Sequence, residues 1–209
     1  MDNRYDPILL LISGRGSNLG AILRAIGEGH LRASVSAVIA SRPTAAGLEI
    51  ARAAGVETLV LPPRDYPSRE AYDRALAGAA RARSVRLVCL AGFMHVLGPA
   101  FCAAFPHAIL NIHPSLLPAF PGVDAQRQAL EHGAKISGAT VHFVTPELDA
   151  GPIVMQSAVP VLDDDTVETL SARILVEEHR IYPEAIGRIL KGGWRVEGRR
   201  VRFDAVPVE

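Results

Sequence analysis

The 209 residues carry 22 Lys+Arg against 22 Asp+Glu and are 49% hydrophobic and 21% charged, a balance that fits a folded globular chain and excludes disordered and fibrous classes. Without a cationic excess to track a phosphate backbone or an anionic bilayer, the expected partners are small-molecule substrates, with no nucleic acid and no membrane. Two cysteines, Cys89 and Cys102, are too few and too unpatterned for a disulfide framework or zinc site, and the opening apolar run 7–12 is too short for a leader or a span, so a cytoplasmic protein with buried thiols is expected.

Continuously apolar runs at 8–12, 35–40, 58–61, 85–91 and 109–112 read as strands covered on both faces. Between them, 19–27, 46–54 and 69–82 have helical spacing and end near glycine or small residues. The alternation predicts an α/β fold with a mostly parallel twisted sheet and helices on both faces. After Asn111 the texture changes. The stretch from His113 to Gly122 holds three prolines, at 114, 118 and 121, and reads as an ordered loop. A short helix at 124–131, strands at 139–144 and 153–161, a long helix at 167–190 interrupted by Pro183, and a hairpin around Glu197-Gly198 complete the chain. With no linker or repeat visible, one domain is expected, a phosphate-binding half to about residue 105 and a catalytic half after it.

Three motifs carry chemistry. Ser13-Gly14-Arg15-Gly16-Ser17-Asn18 falls between the first strand and the first helix, where glycines admit close backbone approach and free amides hold an anion; a tight turn capped by Ser17 or Asn18 is the alternative. Leu19 replaces the third glycine of a dinucleotide fingerprint, Ser41-Arg42 stand where its acid belongs, and no Gly-Lys-Ser/Thr follows; a phosphate monoester on a sugar therefore fits best.

Asn111 and His113 lie two apart at the C-terminal end of a strand, so both side chains point to one side. An amide donor beside an imidazole can hold a developing oxyanion and move a proton, effects worth roughly 100- to 10,000-fold, although a lone histidine is more often structural. The loop Pro146-Glu147-Leu148-Asp149-Ala150-Gly151-Pro152 offers Asp149 to orient His113, or forms an ordinary turn. His142 alternates with Val141 and Phe143 and is placed to face the same crevice, whereas His30, His107 and His132 fall in loop or helix-end settings. No histidine pair has metal-site spacing, which disfavours a metal.

Taken in order, residues 13–18, Leu90-Ala91-Gly92-Phe93-Met94, Asn111-Ile112-His113-Pro114-Ser115-Leu116-Leu117-Pro118 and the loop through Asp149 resemble the phosphoribosylglycinamide formyltransferase family from about residue 8 to 182. The resemblance implies transfer of a formyl group from 10-formyltetrahydrofolate, a co-substrate, to the amine of glycinamide ribonucleotide in purine biosynthesis. It implies catalysis by Asn111, His113 and Asp149. It places the ribonucleotide on Gly16, Ser17, Asn18 and Glu178. It places folate on Arg69, on Met94, His95, Val96 and Leu97, on Asn111, and on Thr145, Pro146, Glu147, Leu148 and Asp149. Two departures stand out: His95 where arginine is common, and Ala125-Gln126 where Thr-His is frequent.

Siblings compete. The enzyme that formylates methionyl-tRNA usually adds a C-terminal tRNA-holding domain and a basic face, and formyltetrahydrofolate hydrolase carries an extra domain ahead of its core; neither suits this chain. A non-catalytic sensor of phosphoribosyl ligands would not need the trio. An exposed apolar edge is compatible with a homodimer.

Overall fold

Strand β1 (Asp6–Ile12) lies at the centre of the sheet, and its alternation divides the molecule into two cores. Ile8, Leu10 and Ile12 point into one layer and Leu9 and Leu11 into the other, each fully buried, which is worth about 1.5–3 kcal/mol per side chain. The computed structural model describes residues 5–204.

From β1 the chain runs through helix α1 (Ser17–Gly27), β2 (Ala33–Ala40), α2 (Gly47–Ala53), β3 (Thr58–Val60), α3 (Arg69–Arg81), β4 (Leu87–Leu90), α4 (Pro99–Ala104) and β5 (Ile109–His113). It continues through α5 (Ala125–Glu131), β6 (Ile136–Phe143), β7 (Ile153–Pro160), α6 (Val167–Lys191), β8 (Trp194–Glu197) and β9 (Arg200–Phe203). Among the described residues the strands form one nine-stranded sheet in the order β3-β2-β1-β4-β5-β6-β7-β9-β8. Helices α1, α2, α5 and α6 cover one face and α3 and α4 the other, as expected for an α/β fold.

The sheet is parallel from β3 to β5, then turns antiparallel at β5–β6 and β6–β7. The terminal hairpin does not stand alone, because β9 pairs with β7 and extends the sheet. The expected break at Pro183 is absent: α6 runs through it. The hydrogen bond lost there is outweighed by burial of Ile181, Tyr182, Ala185 and Ile186, and Tyr182 Oη donates to the carbonyls of Leu90 at 2.9 Å and Leu110 at 3.1 Å. α4 was not expected from the sequence, since six residues are too few to show a period. Among the described residues no helix is long and apolar enough to cross a membrane.

The chain steps outward from β1 to β2 and β3, then crosses back from β3 to β4 on the other side of β1. Such a switch opens a crevice at the C-terminal strand ends. The loops after β1, β4 and β5 all empty into it. The first two are tied together where Ser13 N donates to Gly92 O at 3.0 Å and Ser13 Oγ accepts from Met94 N at 2.9 Å.

Candidate active site

Gly16 precedes α1 in the left-handed region, with φ 77°, and no side chain caps the helix. No acidic residue occupies the first turn either. The first-turn amides of this 11-residue helix thus receive no cap from the Ser17 or Asn18 side chain. Asn18 turns its side chain elsewhere, donating from Nδ2 to Glu178 Oε2 at 2.8 Å. Glu178 projects from α6 and is 8% exposed. Burial pushes its carboxyl above the ordinary range, an effect the Asn18 bond and the charge of Arg15 partly offset. The expected ribonucleotide residues therefore form one connected wall, with a carboxylate able to accept from hydroxyl groups beside an uncapped helix end.

At the end of β5, His113 is 5% exposed and each ring nitrogen faces an oxygen. Nε2 donates to Phe120 O at 2.9 Å, and Nδ1 lies 3.4 Å from Asp149 Oδ2. The same Asp149 oxygen accepts from Gly122 N at 2.8 Å. Phe120 and Asp149 both hold left-handed backbone, with φ 52° and 48°, a conformation that costs free energy in residues with a Cβ and collects at functional sites. On the same strand, Asn111 Nδ2 meets His142 Nε2 at 3.1 Å. The proline-rich loop that carries Phe120 is pinned from β6. Thr140 Oγ1 donates to Ser115 O at 2.7 Å and accepts from Leu117 N at 3.0 Å and Gln156 Nε2 at 2.9 Å.

The stretch after β4 sets exposed apolar side chains near this polar cluster: Met94 is 65% and Val96 47% exposed. Leu148, in the loop of Asp149, is exposed as well and packs toward Gly122. Uncovered apolar surface around buried polar groups suits a flat heteroaromatic ligand with a few polar edges. Leu97 differs from its neighbours, because its side chain is core, so a contact from it would use the main chain. His95 is half-buried against Phe93 and Tyr72, and burial together with Arg42 lowers its pKa. It lines a cleft of about 500 Å³ with Arg42 and Arg64. Arg69 opens α3 behind the Ser68 cap, its Nε beside Gly98. In the 145–149 loop, Thr145 Oγ1 donates to Glu147 O at 3.3 Å.

Residues 7–186 match the formyl transferase family. The chain belongs to that family. It is 45% identical to phosphoribosylglycinamide formyltransferase of Escherichia coli (strain K12) over 92% of this chain and 88% of that one. The crystal structure of glycinamide ribonucleotide transformylase 1 from Symbiobacterium toebii superposes with a TM-score of 0.95 at 56% identity, covering 98% of this chain and 96% of that one. A formyltetrahydrofolate deformylase from Pseudomonas syringae superposes with a TM-score of 0.88 at 25% identity, and this chain covers 66% of it.

Within this formyl transferase chain, the structure brings Asn111, His113 and Asp149 together, and separately joins the Gly16–Asn18 loop to Glu178. His142 faces the trio, as its alternation on β6 suggested. Sequence reasoning missed Gly47, Thr140 and the Phe120 carbonyl. Only the glycine left a signal, sitting at the start of a helix where glycine is unfavourable unless something packs closely against it. Ala125, in the second departure, is the first residue of α5 and is fully buried.

Proposed function

We propose that this chain transfers a formyl group from 10-formyltetrahydrofolate to the amine of N1-(5-phospho-D-ribosyl)glycinamide, giving the N-formyl product and tetrahydrofolate in de novo purine (IMP) biosynthesis. The observation that carries the reading is the convergence of Asn111, His113 and Asp149 at one strand end, His113 Nδ1 standing 3.4 Å from Asp149, in the crevice that the uncapped α1 also borders. The folate supplies the formyl carbon and a nitrogen leaving group.

The uncapped turn at Gly16–Asn18 holds the phosphate, and Glu178 accepts hydrogen bonds from the ribose. The exposed apolar stretch at Met94–Val96 and the loop from Thr145 to Asp149 hold the folate ring, with Arg69 and His95 toward its anionic tail. The amine nitrogen bonds to the formyl carbon and negative charge gathers on the formyl oxygen, which Asn111 Nδ2 receives together with His113 once its Nε2–H turns from the Phe120 carbonyl. The bond from that carbon to the folate nitrogen then breaks. One proton leaves the amine and one reaches the departing nitrogen, relayed by His113 or water while Asp149 holds the imidazole. Aligning two substrates supplies much of the acceleration, since the step becomes effectively unimolecular. No residue forms a covalent bond, and no step needs a metal.

The test is acceptor dependence. Deformylation of 10-formyltetrahydrofolate by purified protein is expected only when the ribonucleotide is present, with formylated ribonucleotide formed in equal amount. Equal turnover without acceptor would instead identify a hydrolase.

A further inference from the structure

We propose that His142, outside the reacting trio, is the positioning residue that turns the Asn111 amide and leaves Asp149 to His113. This rests on the reading that Asn111, His113 and Asp149 carry the transfer.

In the antiparallel β5–β6 ladder Asn111 stands opposite His142, and the register of β6 against β7 shifts between Val141 and His142. The extra residue is Val154 of β7, so β6 stays regular and its pairing with β5 holds His142 opposite Asn111, facing the crevice. Both ring nitrogens of His142 are then engaged. Nδ1 lies 2.9 Å from Phe143 O, and a carbonyl only accepts, so Nδ1 carries the hydrogen. The ring is 2% exposed, and burial lowers its pKa more strongly than Asp149 and the Phe143 bond raise it, so a second proton is disfavoured.

Nε2 is consequently a bare lone pair 3.1 Å from the Asn111 side chain. Such a nitrogen only accepts. The amide must present its NH2 to it, because the flipped amide would oppose two lone pairs at that distance. One N–H of Asn111 is spent on His142, and the second N–H is held in the plane this bond defines, available to the formyl oxygen.

The same neutral nitrogen lies 3.6 Å from Asp149 Oδ1. Having no proton to give, it does not bind the carboxylate, and Asp149 Oδ2, which accepts from Gly122 N, is left to receive the hydrogen of His113 Nδ1 when that imidazole carries both protons. The charged or titratable groups facing His142 are Asp149 and His113.

Two variants separate positioning from packing. His142→Gln retains an acceptor for the amide, whereas His142→Phe retains the bulk and loses it. With folding checked by thermal melting, His142→Phe is expected to lose about 100-fold in kcat with both KM values within about threefold, the scale of one misplaced oxyanion donor. His142→Gln is expected to recover at least about tenfold of that loss. In the wild-type protein, ring 15N shifts are expected to show hydrogen on Nδ1 and none on Nε2 across neutral pH.

Hydrogen on Nε2, a Phe variant as active as wild type, or a Gln variant no better than a folded Phe variant would each overturn the proposal. Should His142→Phe not fold, the 15N shifts and the kcat of His142→Gln, expected within about tenfold of wild type, decide the matter. Asn111→Ala and His113→Ala run alongside. If those two keep full turnover, the reading of the trio has failed; if they collapse while His142→Phe does not, only the role of His142 has.

Discussion

Gly16 and Gly47 stand backbone against backbone: a Cβ on Gly16 would lie 2.6 Å from the Gly47 Cα, and one on Gly47 would lie 3.1 Å from the Gly16 Cα and 2.7 Å from Ile12 Cδ1. Gly47 N also donates to Gly14 O at 3.1 Å. The start of α2 therefore props the anion-holding loop from behind, and a methyl group there pushes directly on its main chain. Gly47→Ala is expected to cost about 1–3 kcal/mol by overpacking, read by chemical denaturation. Its KM for the ribonucleotide is expected to rise by about tenfold or more, a loss of about 1.4 kcal/mol of binding, with the KM for folate unchanged.

Glu178 trades stability for binding. Its folded pKa is raised by burial above the ordinary value of 4.5, so its stability contribution is complete below that value and is lost as pH rises through the folded pKa. Glu178→Gln keeps an acceptor for Asn18 and removes the buried charge. The variant is expected to be more stable than wild type at pH 8, the gap closing as pH falls toward 4.5. Melting curves across pH read the sign. Ribonucleotide affinity is expected to fall in the same variant.

Thr140 holds the proline-rich loop by its hydroxyl rather than its methyl. Thr140→Val preserves shape but leaves Leu117 N and Ser115 O without their partner, at a cost of about 1–3 kcal/mol for an unmet buried group. Because that loop presents the Phe120 carbonyl to His113, kcat is expected to fall along with stability. A variant that melts lower yet turns over normally would show that the loop finds its place without this anchor.

The fold was legible in the sequence where burial is two-sided: the runs that became β1, β2 and β5 are apolar at nearly every position and bounded by turn residues. Legibility failed where tertiary packing overrules local preference. Pro183 reads as a break, yet α6 continues because Ile181, Tyr182, Ala185 and Ile186 around it are buried and Tyr182 is bonded to β4 and β5. At the site, the titratable residues announced themselves by type and spacing. The Phe120 carbonyl could not, since every residue carries one and only a particular left-handed turn aims this one at His113. Leu97 shows the converse, a position that matches a family motif while its side chain belongs to the core.

Single-turnover formyl transfer in His113→Ala and Asn111→Ala, with equilibrium binding of each substrate measured on the same samples, tests the central claim most directly. Both variants are expected to bind ribonucleotide and folate within a few-fold of wild type while the chemical step slows by about 100- to 10,000-fold, because both side chains act on charge that develops only during transfer. A chemical step at the wild-type rate in either variant, with both substrates bound, would contradict the account and remove that residue from the reaction.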